Sequence, residues 1–74
     1  MVIIKGKEID NLYEGYLWLR KIWFDKPYNI WYEKSDEKDP EYYEHIYIEP
    51  VRGYGNESWV IDSIDELKEL INTH

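Results

Sequence analysis

Two helix starts bracket the interior of this chain, and the stretch between them is β-rich and broken by turns. Asn11 stands three residues before Glu14, and Ser63 stands three before Glu66. In each pair a short polar side chain can accept a hydrogen bond from a first-turn backbone N–H that has no partner within the helix. Leu12, Tyr16, Leu19 and Trp23 follow the first start at i, i+4, i+7 and i+11, one apolar stripe that Tyr13, Leu17 and Phe24 widen. This predicts a helix over 11–24, ended by Asp25-Lys26-Pro27. Ile64, Leu67, Leu70 and Ile71 follow the second start and predict a helix over 63–72. Gly15 costs the first helix about 1 kcal/mol relative to alanine, so its expected use is to let another element come close.

The remaining segments read as strands. Residues 2–5 are short and β-branched, with Gly6 as punctuation. Residues 28–34 form a second candidate, 41–51 a third and 58–62 a fourth. The polar run 35–40 and the turn Arg52-Gly53-Tyr54-Gly55-Asn56-Glu57 separate them. The expectation is one α+β domain spanning 1–74, in the order β-α-β-β-β-α, with two helices packed on one face of an antiparallel sheet. Residues 2–5 join that sheet or its edge. The αβββα portion is similar in element order to double-stranded-RNA-binding domains. The basic cluster such domains carry at the second helix is replaced here by Asp62, Asp65 and Glu66, so the likeness in order does not imply duplex RNA binding.

A domain of 74 residues without cysteine has neither disulfides nor thiolate metal sites to hold it. It has thirteen aromatic residues instead, more large rings than so small a core readily hides. Some therefore belong at the surface, where rings with a polar tip are favoured contact residues. The formal charge is −7, from 16 acidic against nine basic residues. That field repels phosphate backbones and anionic lipid, which argues against direct nucleic-acid or membrane binding and suits a partner with a basic face. The first residues turn charged too soon for a secretory leader, and no run approaches a membrane span, so the expected setting is cytoplasmic.

Alternation places Tyr42, Glu44, Ile46, Ile48 and Pro50 on one side of the long strand and Tyr43, His45, Tyr47, Glu49 and Val51 on the other. With Ile46 and Ile48 under the helices, Tyr43, His45 and Tyr47 line the opposite face, where Trp31 of the preceding strand joins them. This Trp-Tyr-His-Tyr patch is the candidate partner surface. Set against it is a plain amphipathic face whose rings shield one another across strands. Asp36, Glu37 and Asp39 crowd the loop beside it, yet that loop lacks the glycine and the alternating oxygen ligands of a calcium site. Tyr54, with Arg52, sits at a hairpin tip, since the Gly53-Tyr54-Gly55 sequence opens a strand and not the helix a phosphate loop requires. His45 lacks the further ligands for a metal, and no nucleophile stands with a base, so neither a metal, a cofactor nor catalysis is expected.

These features point to a small acidic protein-binding module. Its concrete form is an inhibitor or adaptor, phage- or mobile-element-encoded, whose carboxylates occupy a basic nucleic-acid-binding site on a target. The candidate acids are Glu33, Asp36, Glu37, Asp39, Glu41, Glu44, Glu49 and Glu57. The alternative is a structural homodimer or subunit joined through Trp31, Tyr43 and Tyr47. A third reading is a carbohydrate or small-ligand module using Trp31 and Tyr43 as a platform.

Overall fold

Hydrophobic periodicity builds both helices. In a computed structural model describing residues 1–34 and 43–74, α1 spans Leu12–Ile22 and α2 spans Ile64–Thr73. Both caps form as the sequence predicts. Asn11 Oδ1 accepts from the Glu14 N–H at 2.9 Å, and Ser63 Oγ accepts from the Glu66 N–H at 3.2 Å. The Glu14 carboxylate reaches back one residue further than a capping box requires, accepting from the Asp10 N–H at 3.1 Å.

Five strands form two antiparallel sheets: β1 (Val2–Ile4) with β2 (Lys7–Ile9), and β3 (Tyr28–Lys34), β4 (Glu44–Pro50) and β5 (Trp59–Ile61) in the order β3-β4-β5. The α+β class and the antiparallel meander with its two helices are as the sequence predicts. The observed order, β-β-α-β-β-β-α, contains one more strand. Residues 2–5 do not extend the main sheet; β1 folds back on β2, pairing Ile4 with Lys7. The two turn residues, Lys5 and Gly6, have φ of 49° and 83°. Two successive left-handed residues match the twist of a tight hairpin, a conformation glycine adopts freely and lysine does not.

The core lies between the main sheet, both helices and this hairpin. Ile4 and Ile9 reach it from the hairpin, Leu12, Leu19 and Trp23 from α1, Ile46, Ile48 and Ile61 from the sheet, and Leu67, Leu70 and Ile71 from α2. Each such side chain, fully buried, contributes about 1.5–3 kcal/mol. Gly15 sets how closely the helices pack. A Cβ there would lie 2.6 Å from Leu67 Cδ2 and 3.5 Å from Ile9 Cγ2, so α2 and the hairpin both rest against that bare backbone. The Trp18 indole N–H donates to the Ile4 carbonyl at 2.9 Å, tying α1 to β1.

The widened stripe expected on α1 is narrower in the structure. Tyr13 and Leu17 are exposed, and Phe24 is 82% exposed. Trp23 caps the helix with φ of −108° and ψ of 22°, so Phe24 leaves helical phase and projects from the turn.

Candidate outer-sheet binding face

The register of the main sheet sorts its side chains. β3 pairs with β4 so that Tyr32 faces Ile46, Trp31 faces Tyr47 and Glu33 faces His45; β4 pairs with β5 so that Tyr47 faces Val60. Ile46 and Ile48 are fully buried, and Ile30, Tyr32, Trp59 and Ile61 pack with them against the helices. Alternation then turns Trp31, Glu33, His45, Tyr47, Glu49 and Val60 to the other face. No bulge interrupts the β3–β4 register, so the expected facing holds. Trp31 and Val60 stay exposed on this outer side.

The rings on that face touch. Trp31 and Tyr47 stack with centroids 5.7 Å apart and planes 27° from parallel. Tyr43, just before β4, stacks on His45 at 5.2 Å and 26°. His45 Nε2 lies 2.9 Å from Glu33 Oε2 across the strands, while Nδ1 is buried with no hydrogen-bond partner among the described residues. The Tyr47 hydroxyl donates to Glu49 Oε2 at 3.2 Å. The surface therefore consists of two ring pairs bordered by Glu33 and Glu49. Trp31 remains 42% exposed and Tyr43 56% exposed, so stacking leaves much of both rings to solvent.

Of the residues singled out in the sequence, Trp31, Tyr43, His45, Tyr47 and Glu49 come together here. Tyr54 does not. It lies exposed in the β4–β5 turn, its N–H bonded to the Val51 carbonyl at 3.0 Å, between Gly53 and Gly55, both of which have positive φ. Asp36, Glu37 and Asp39 lie outside the described residues. Glu44, one of the candidate acids, turns to the helix side and accepts a hydrogen bond from the Tyr32 hydroxyl. Two contributors were not named for the patch from sequence. Glu33 is the partner of His45, and Val60 adds an exposed apolar side chain beside Tyr47. Both follow once the register is known, which sequence alternation alone does not supply.

Charge is divided along the chain. The first 26 residues hold five basic and four acidic side chains, so the whole net negative charge belongs to residues 27–74. Shallow grooves among the described residues lie elsewhere, two of them flanking Trp18. One, about 630 Å³, runs between the hairpin and α1 past Glu8, Glu14, Trp18 and Lys21. The other, about 700 Å³, lies at the end of α2 beside Trp18, Trp23, Lys26 and His74. Among the described residues, no three potential metal ligands gather, and no helix is long and apolar enough to cross a membrane.

Comparison with protein-family models, with curated proteins and with solved structures gives no match for this chain.

Proposed function

We propose that the protein is a binding module that engages another protein through the outer face of its main sheet. The observation that carries this reading is the stacked Trp31–Tyr47 and Tyr43–His45 pairs, partly open to solvent and flanked by Glu33 and Glu49. Large rings anchored side by side on rigid strands bury much area at little entropic cost, as the centres of protein interfaces do. The acidic border and the negative charge of residues 27–74 suit a partner with a basic surface, including one that otherwise holds nucleic acid. In that form the protein is an inhibitor or adaptor, with its aromatic centre supplying affinity and its acids steering the encounter. A cytoplasmic setting and a phage or mobile-element origin belong to the same proposal and rest on composition alone.

Stacking between the rings favours a protein partner over a sugar, because each pair covers part of the ring faces on which a sugar would lie. The test is a paired substitution. Tyr43→Ser with Tyr47→Ser should weaken partner binding at least tenfold, on the order of 1.4 kcal/mol, while the domain still unfolds in one cooperative transition. Loss of the fold would instead make these rings part of the stabilising core.

A further inference from the structure

α1 carries large apolar side chains on both of its faces. Leu12, Leu19 and the cap residue Trp23 turn into the core. Tyr13 and Leu17 stand on the outward side, 48% and 46% exposed, and Phe24 projects from the turn just beyond. Single exposed rings are ordinary on a protein surface. Here the exposed residues Tyr13, Leu17 and Lys21 recur at every fourth position and so form one stripe along the helix. Tyr13 is braced by Tyr32 at 5.1 Å and by Tyr16 at 6.0 Å between ring centroids, which holds its ring in place.

The charges beside this stripe say what can cover it. Glu14 lies in the first turn of α1, and Arg20 and Lys21 lie in the last. Glu14 uses Oε2 to accept from the Asp10 N–H, and Lys21 makes no ion pair among the described residues. A helix that is acidic at its start and basic at its end complements a second copy of itself only when that copy runs the other way, which also opposes the two helix dipoles. The charge of the whole chain favours the same surface. Residues 1–26 carry one net positive charge and residues 27–74 eight net negative ones, so copies that meet through α1 join the least acidic stretch of each chain.

We infer that the protein dimerises by packing α1 antiparallel against α1 of a second copy, the two-fold axis passing through Leu17. Leu17 is the middle residue of the helix, so this register overlaps its full length and sets Leu17 against its own copy. The symmetry keeps each flank of the stripe beside the same flank of the other helix. Glu14 and Lys21 are seven residues apart and share one flank, so each Glu14 meets the Lys21 of the other copy. Tyr13 and Arg20 share the other flank in the same way. Arg20, whose guanidinium lies 5.5 Å from the centre of its own Tyr16 ring, comes beside Tyr13 of the other copy, a second cation–ring contact. A contact of one helix per copy is at the small end of specific interfaces, so the dimer is weak and forms at high concentration. This inference stands apart from the partner reading, because α1 packs on the helix side of the main sheet and the stacked rings lie on the other.

Sedimentation of the unmodified chain from about 1 µM to about 1 mM should approach twice the monomer mass at the upper end. A monomer throughout overturns the inference. Isotope-filtered magnetic resonance on a mixture of labelled and unlabelled chains locates the contact without any substitution. Leu17 methyl protons of one copy should show a cross-peak to Leu17 of the other; a dimer whose inter-chain contacts omit Leu17 uses another surface and overturns the inference. Leu17→Glu, a change at an exposed position, should weaken dimerisation at least tenfold while helix content is retained, and a folded variant that dimerises as well as the unmodified chain contradicts the register. The charge pairing has its own test. Glu14→Lys and Lys21→Glu chains should each sediment as monomers and recover the dimer when mixed in equal amounts, because the mixture restores an acid opposite a base on both sides. Dimers that persist in both chains separately contradict the antiparallel pairing of Glu14 with Lys21.

Discussion

At the scale of single residues, Gly15 is the position where a small change should matter most. Alanine would favour the helix by about 1 kcal/mol. Its methyl, however, would meet Leu67 Cδ2 at 2.6 Å, and Leu67 is fully buried with little room to yield. Overpacking of this kind costs about 1–3 kcal/mol, so the collision outweighs the gain. Gly15→Ala should lower stability by about 1 kcal/mol and Gly15→Val by more, read from chemical denaturation. A stabilised alanine variant would mean that α2 does not pack so close. The two caps make a simpler test. Ser63→Ala removes the acceptor for the Glu66 N–H and should cost about 1 kcal/mol. The sequence signalled all three positions, because capping spacing is local and a mid-helix glycine is anomalous. It did not signal which element uses the space at Gly15, since Leu67 lies far along the chain.

At the scale of elements, what could be read in the sequence follows the strength of the period. Both helices and the three strands of the meander had clear patterns, and their ends shifted by a few residues where described. β2 had none. Lys7 and Glu8 are polar, Ile9 alone is buried, and the Lys5-Gly6 turn lacks the asparagine or aspartate that usually marks a two-residue hairpin. That mismatch carries a prediction. Lys5 holds a left-handed conformation that asparagine tolerates better, so Lys5→Asn should raise the thermal midpoint. Gly6→Val should lower it. Unchanged midpoints for both would imply that the hairpin contributes nothing to the cooperative unit, against the burial of Ile4 and Ile9. The candidate face was legible for a similar reason. Alternation about Ile46 and Ile48 fixes which side Tyr43, His45 and Tyr47 occupy. The contact of His45 with Glu33 was not legible, because it depends on cross-strand register and not on either strand alone.

At the scale of the whole molecule, the sheet divides its labour between two faces. The helix side holds Ile46 and Ile48 against α1 and α2, while the outer side holds stacked rings that remain partly in water. The two faces should respond differently to truncation. Ile48→Ala should cost about 2–5 kcal/mol, a large share of the stability available to a domain of this size. Tyr43→Ser with Tyr47→Ser removes one cross-strand ring contact, Tyr47 on Trp31, contributing about 0.2–1 kcal/mol, and the stack of Tyr43 on His45 within its own strand segment, so that variant should stay folded. We propose that the outer face, with its acidic border, makes the functional contact. The most direct measurement of that contact uses the unmodified chain and the Tyr43→Ser, Tyr47→Ser variant side by side as immobilised baits for the source cell's proteins. Retention is quantified as salt rises from about 50 mM, through the range where exposed charges are screened. A partner should be held by the unmodified chain alone, released progressively by salt and competed away by nucleic acid. The same proteins retained equally by both baits, with no dependence on salt, would contradict it.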